Sequence, residues 1–398
     1  MEVIAGFKRT EVGLIPEDWE VTEVGAEFSI QLGKMLDSQK NVGVPKPFLG
    51  NRAVQWGRID VVDLGVVKLT PSDLLRFRLR AGDLLVCEGG EVGRCAVWRE
   101  PIEECYYQKA LHRLRPRREY SVTLMHYVLL RLASNGSLLS FVTQTSIAHL
   151  PKDKLETVPI PLPPTKAEQE AITEALSDAD TLIESLEQLL TKKRHIKYGA
   201  MQELLTGKKR LLGFGGEWVS KPLGEVAEIV MGQSPSSRHY NNRGEGLPLI
   251  QGNADIRNRR TIKRVFTAEI TKRGRCGDIL MSVRAPVGGI SRALFDVCLG
   301  RGVCAIRHAN DFLYHALIAK EPAWARLSRG STFDSVNSTD VKGFGIEMPR
   351  SEDEQTAIAA VLSDMDDGIA ALEAKLTKAR NLKQGMMQEL LTGRIRLV

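Results

Sequence analysis

Apolar residues recur in alternating steps of four and three along two stretches of this chain. The first stretch carries Ile172, Leu176, Ala179, Ile183, Leu186 and Leu190; the second carries Ile358, Leu362, Met365, Ile369, Leu372 and Leu376. A 3.5-residue repeat lines its apolar side chains in a narrow seam suited to a partner helix. Each stretch has its own start. Thr165-Lys166-Ala167-Glu168 and Ser351-Glu352-Asp353-Glu354 fit the capping box, in which a hydroxyl and a carboxylate satisfy free amides at a helix N-terminus. Prolines stand just upstream, at 161, 163, 164 and 349, where they are tolerated and helix interiors would exclude them. Each stretch also has its own stop, Leu-Leu-Thr-Gly, with Gly207 and Gly393 suited to the left-handed residue that closes a helix. The pattern predicts two helices of about 40 residues, each roughly 60 Å long. A helix of this kind can lie on its own domain, but heptads without a wider apolar face favour pairing with another helix. Chain direction makes that pairing an antiparallel intramolecular coiled coil.

The two stretches are copies. Residues 168–211 align without a gap to 354–397, and 26 of the 44 positions are identical. A repeat this long implies a duplicated module of about 186 residues rather than a solenoid unit. The expected division is 1–164, a first domain; 165–208, a central spacer helix; 209–350, a second domain; and 351–398, a C-terminal spacer helix. The domains share only short phrases. Glu17-Asp18-Trp19 is echoed by Gly216-Glu217-Trp218, and Gly82-Asp83-Leu84-Leu85 by Gly277-Asp278-Ile279-Leu280. Val92-Gly93 answers Val287-Gly288, Leu114-Arg115 answers Ile306-Arg307, and Thr145-Ser146-Ile147 answers Ser331-Thr332-Phe333. These are short β-type runs and Gly-rich turns, with amphipathic helices expected over 121–133 and 311–328. The fold class predicted is α/β: two similar mixed α/β domains, separated by two long antiparallel helices, in a pseudo-twofold arrangement.

Composition narrows the setting. The 398 residues include no run of 18 apolar positions, and the N-terminus lacks a signal-peptide core, so a cytoplasmic protein without a membrane span is expected. Six cysteines, at 87, 95, 105, 276, 298 and 304, show neither CxxC nor paired spacing, which reads as reduced thiols. The net charge of +6 is concentrated in 212–336, where 18 Lys and Arg face 11 Asp and Glu. A local basic excess suits a polyanion or a merely solvated surface.

Enzymatic signatures are scarce. No phosphate-cradling G-x-x-x-x-G-K-[ST] occurs, and Gly213-Phe214-Gly215-Gly216 follows a helix end rather than a strand, a poor dinucleotide motif. An aminomethylase loop of the Asn/Asp/Ser-Pro-Pro-aromatic type is missing, since Pro163-Pro164 lies between Leu162 and Thr165. The seven histidines have no metal-ligand spacing. Asp83 with Glu88 and Glu91 could form a nuclease cluster, but the second domain offers only Asp278 at the matching place. A Gly-Asp pair before an apolar strand fits a turn cap better.

Binding chemistry is richer. The second domain carries Arg238, Asn242 and Arg243, then Asn253, Arg257, Arg259 and Arg260, with Arg284 further on. The first is sparser: Lys34, Lys40, Asn51, Arg52, Gln55, Trp56 and Arg58, then Gln108, Lys109, His112 and Arg113. Guanidinium forks and amides read purine edges in a major groove, while Lys and Arg also hold phosphates. Each residue alone suits a solvated surface equally well; clustering in loops at equivalent places of both domains favours DNA.

Taken together, the chain resembles the specificity subunit of a type I restriction–modification enzyme. The resemblance rests on the paired EQ-A-I…LSD-D and K-G-MQELLTG-R-L motifs and on the opening phrase Ile15-Pro16-Glu17-Asp18-Trp19. The pre-helix phrases Ile160–Pro164 and Ile346–Pro349 also fit, although Arg350 replaces the second proline. The resemblance implies a non-catalytic subunit with two target recognition domains, each reading one half of a split double-stranded DNA site. The helices would set the unread spacing and dock two methylation subunits, which carry S-adenosylmethionine and the adenine-N6 chemistry; this chain would hold no cofactor or metal itself. Restriction motor subunits would join them. Two other readings stay open on the residues alone: a self-contained metal-dependent DNA endonuclease, and an adaptor spacing two protein-binding domains.

Overall fold

The heptad stretches form two helices of 39 residues each, a central helix Lys166–Leu204 and a C-terminal helix Glu352–Leu390. In the computed structural model, residues 5–37, 41–144, 148–328 and 335–397 are described; Lys40, Thr145-Ser146-Ile147 and Ser331-Thr332-Phe333 lie outside them. The hydroxyl half of each capping box forms: Thr165 Oγ1 accepts from Glu168 N at 3.2 Å, and Ser351 Oγ from Glu354 N at 3.3 Å. The carboxylate half is spent elsewhere. Glu168 and Glu354 are buried and pair with Arg396 and Arg210, because a guanidinium offers a buried carboxylate more than a single amide can. Past the helix ends, Gly207 and Gly393 take the left-handed conformation, with φ of 69° and 65°.

The chain folds into two compact units, residues 1–186 with 375–398, and residues 187–374. Each long helix therefore contributes to both. In the first unit, four antiparallel strands lie in the order Cys95–Val97, Leu84–Cys87, Leu111–Pro116, Phe28–Leu32. The second unit has the same core order in Ile290–Arg292, Ile279–Ser282, Val303–Arg307, Glu228–Met231. Leu84–Cys87 and Ile279–Ser282 are buried along their whole length, which is why Leu84–Cys87 and the first three residues of the other read as apolar runs rather than alternating ones. Each unit adds a further sheet containing one parallel pair: Val44–Leu49 with Tyr106–Tyr107, and Leu247–Ile250 with Val297–Leu299.

Two phrases duplicated in the sequence meet in each unit. Trp19 packs at the turn of Gly393, where a Cβ would fall 3.1 Å from its ring, and Trp218 stands at the same distance from Gly207. After each tryptophan the chain forms a strand against the pre-helix phrase, Glu20–Glu23 on Pro159–Leu162 and Trp218–Pro222 on Gly345–Pro349.

The seam residues divide along the helices. Ile172 and Leu176 sit in the core of the first unit with Trp19, Phe28 and Leu124, and Ile358 and Leu362 in that of the second with Leu223, Leu313 and Ile346. Leu190 and Leu376 are buried, while Ile183, Leu186, Ile369 and Leu372 are half-buried. Each helix thus begins on its own domain and continues as part of a helix pair, and the two long helices pack together. Their directions are opposed: Asp180 meets Lys383 in one unit, and Lys197 meets Asp366 in the other, both at 2.5 Å. The helix expected over 121–133 is Val122–Ser134. That expected over 311–328 is two helices, Phe312–Ala319 and Glu321–Ser328. The interruption falls at Lys320, two residues before Pro322, whose ring suits a first turn and not a helix interior.

Candidate nucleic-acid interface

The predicted reading residues concentrate on one recurring element. In the first unit a short 3-10 turn, Asn51–Ala53, leads into a hairpin in which Gln55 pairs with Arg58 across Trp56-Gly57. In the second, the turn Asn253–Asp255 leads into a hairpin in which Arg257 pairs with Arg260 across Asn258-Arg259. Asn258 and Arg259 have φ of 49° and 59°, as a two-residue hairpin turn of the primed type requires, so the reversal is tight. The element places Arg52 and Arg58, and Asn253, Arg257 and Arg260, in solvent.

Several candidates are engaged by the fold itself. Lys34 forms a 2.8 Å ion pair with Asp73. The Asn51 side chain donates to the Gly89 carbonyl at 3.0 Å, and Arg94 donates to the Asn51 carbonyl at 3.0 Å. Arg259 turns back from the hairpin to form a two-pronged pair with Glu321. Arg113 is 8% exposed and donates to the Arg76 carbonyl, and His112, fully buried, bonds the Leu150 carbonyl. Both lie on the buried strand Leu111–Pro116, a placement that a loop-based reading of Gln108–Arg113 does not anticipate. Lys109 is exposed next to Lys34, whose carbonyl accepts its backbone N–H at 2.8 Å. In the second unit Arg238, Asn242, Arg243 and Arg284 are all exposed. Arg243 lies 3.6 Å from Glu245, and Asn241 caps the turn beneath it by accepting from the Arg243 and Glu245 amides.

Asp83 has the role of a turn cap. Its carboxylate accepts from the Arg80 amide at 2.8 Å and from Arg115 at 2.5 and 2.9 Å. Asp278 repeats the arrangement with the Arg275 amide at 2.8 Å and Arg307 at 3.1 Å. Glu91 takes the Trp56 indole N–H at 2.6 Å. Among the described residues no three His, Cys, Asp or Glu side chains are placed to hold a metal ion.

The helix pair is tied by charges that recur at the offset of the sequence repeat. Asp180 with Lys383 and Asp366 with Lys197 exchange members by 186 positions, as do Glu168 with Arg396 and Glu354 with Arg210. A domain residue joins each inner pair: Tyr127 donates to Asp180 at 2.9 Å, and His315 lies 3.9 Å from Asp366 and 3.1 Å from Ser363 Oγ. Hydrophobic patterning does not announce these ion pairs. The available signal is that Asp180, Lys197, Glu168 and Arg210 are all identical in the second copy.

Comparison with known proteins matches this duplicated plan. Residues 16–192 and 215–380 each match the family model of the type I restriction modification DNA specificity domain. The putative type I restriction enzyme MjaX specificity subunit of Methanocaldococcus jannaschii is 30% identical over 413 residues, spanning 98% of this chain and 97% of that protein. The MjaVIII specificity subunit of the same organism is 24% identical over 425 residues, spanning 98% and 96%. In fold, the crystal structure of the type I restriction–modification S subunit from M. genitalium is similar with a TM-score of 0.66 at 15% identity, over 98% of both chains. A chain from work on assembly and conformational transition of the type I R-M system gives 0.60 at 23% identity, over 96% and 99%. No helix among the described residues is long and apolar enough to cross a membrane. With both domains matched and a relative similar along nearly its whole length, the chain belongs to the type I restriction–modification DNA specificity family.

Proposed function

We propose that this chain reads a bipartite double-stranded DNA site, one half with each target recognition domain (1–164 and 209–350). The spacer helices (165–208 and 351–398) set the number of unread base pairs between. One observation carries this reading. The same turn-and-hairpin element recurs in both units: Asn51 and Arg58 keep their residue type at Asn253 and Arg260, while Arg52 and Gln55 are answered by Ala254 and Arg257. A shared scaffold that changes side chains at some of its exposed positions suits reading two different half-sites, since base edges and not phosphates carry the sequence. The spacer role is supported by the helices themselves, each of which belongs to both units.

The chemistry belongs to partners. Two methylation subunits, with bound S-adenosylmethionine and adenine-N6 transfer, dock on the duplicated helical regions, and restriction motor subunits complete the assembly. Asp83 and Asp278 are occupied as turn caps, so the reading as a self-contained endonuclease is not favoured. Methylome sequencing of a strain carrying this chain and its methylation subunits tests the proposal. It predicts one split motif whose two halves change independently when either domain is replaced. An undivided motif, or Mg²⁺-dependent plasmid cleavage by the purified chain alone, would overturn it.

A further inference from the structure

In the first unit a groove of about 410 Å³ lies between the helix Val122–Ser134 and the last turns of the C-terminal helix. Four cations line it, Arg131, Arg380, Lys383 and Arg394, with Leu130 and Met387 on its apolar flank and no carboxylate in its wall. Lys383 is held by Asp180 at 2.5 Å, and Arg394 stands 3.6 Å from Glu389. Arg131 differs. Among the described residues no carboxylate lies within ion-pair distance of it, and the charge acting on it is the like charge of Arg394. Burial comes first and Arg394 second in opposing its charged form. A half-buried guanidinium left without a counter-charge is costly unless something outside the chain supplies one.

The second unit has a cavity at the matching place in the repeat, lined by Met201, Gln202 and Thr206 where the first has Met387, Gln388 and Thr392. It is smaller, about 120 Å³, and carries Ala316, Ala319 and Glu347 with Lys320 as its one lining cation. The walls of both cavities thus come in part from the phrase MQELLTG, repeated without change. The shared phrase suits a protein that binds both copies, while the cations lining only the first cavity would make its hold on that copy different. A recess flanked by Leu130 and Met387 also differs from the exposed cations that track a phosphate backbone.

We propose that the groove of the first unit is a docking pocket for an acidic side chain of the methylation subunit, with Arg131 accepting an aspartate or glutamate and Leu130 and Met387 covering the neighbouring apolar residue. This rests on the proposed partnership with methylation subunits and adds to it a specific anchor, present on one copy of the repeat and missing from the other.

The test measures binding of the full chain to its methylation subunit by isothermal titration at two salt concentrations. Arg131→Gln should weaken one binding event on the order of tenfold or more and flatten its salt dependence. Arg131→Lys should restore most of the loss, the melting temperature of the free chain should not fall in Arg131→Gln, and DNA affinity of the assembled complex should stay unchanged. Binding of Arg131→Gln equal to that of the unaltered chain would overturn the pocket. So would intact assembly with weakened DNA binding, which would assign the groove to a phosphate. If the unaltered chain does not bind the methylation subunit at all, the proposed function itself fails, and the pocket with it.

Discussion

Arg210 grips Glu354 through two hydrogen bonds of 2.5 Å, Nε to Oε1 and Nη2 to Oε2. The pair joins the segment after the central helix to the first turn of the C-terminal helix, and Glu354 is fully buried. Removing the arginine strands a buried carboxylate, whereas replacing both partners with apolar residues removes the penalty with the interaction. Arg210→Leu should therefore lower the melting temperature more than Arg210→Leu combined with Glu354→Leu. Scanning calorimetry distinguishes them; equal losses would show that the pair stabilises by packing rather than charge.

Gly393 and Gly207 close equivalent helices, but their surroundings differ. A Cβ at Gly393 would fall 2.5 Å from Pro16 Cγ, while at Gly207 the nearest atom is a Trp218 ring carbon at 3.1 Å. Left-handed backbone alone costs an alanine about 1–2 kcal/mol, and the proline contact adds to it. Gly393→Ala should shift the urea midpoint further than Gly207→Ala. The reverse order would mean that the proline yields more easily than the indole.

Three buried histidines link stability to pH: burial pushes His112 down, and His126 and His315 further. His126 is pushed down to about 4, first by burial and then by Lys383, against Asp180 and the Cys95 backbone. His315 is also pushed down to about 4, by burial and then Lys197, against Asp366 and Asp311. Both are neutral when folded and protonate more readily when unfolded, so the unfolded state takes up protons first as pH falls. Stability should decline between about pH 6.5 and 4, and His126→Gln with His315→Gln should flatten that decline. Chemical denaturation at pH 7, 6 and 5 measures the slope; an unchanged slope in the double variant assigns the decline to other groups.

Much of this architecture is legible because duplication makes one signal appear twice. The heptads, the Leu-Leu-Thr-Gly ends and the Trp19 and Trp218 phrases all mark real elements, and each tryptophan meets a Leu-Leu-Thr-Gly end, although the tryptophans stand 199 positions apart and the ends 186. What stays hidden is long-range. Glu168 reads locally as a capping carboxylate, yet its partner is Arg396 at the far end of the chain. Ile172 and Leu176 have the spacing of a helix–helix seam, yet domain residues also pack on them, and spacing along one helix does not show which neighbour covers it. Among the candidate reading residues, the fold adds what residue type alone leaves open: Arg113 sits on a buried strand, and Arg259, though exposed, is paired with Glu321.

The hairpin separates two classes of arginine. Arg257 and Arg260 are exposed and oppose one another across the turn, whereas Arg259 is tied to Glu321 and donates to the Ile290 carbonyl. Arg257→Ala and Arg260→Ala should each weaken recognition of one half-site, by about 1–3 kcal/mol if they reach base edges. Arg259→Ala should instead lower the melting temperature. Competition binding with DNA altered in either half-site resolves these; uniform weakening on unrelated sequences would make Arg257 and Arg260 phosphate contacts.

A helix pair that measures the distance between two half-sites must change that distance when its length changes. Inserting four helical residues into both long helices near their midpoints lengthens each by about 6 Å. Methylome sequencing of cells carrying this variant with its methylation subunits should then find the same two half-sites with a longer unread spacer. An unchanged spacer with both half-sites still methylated would contradict the ruler.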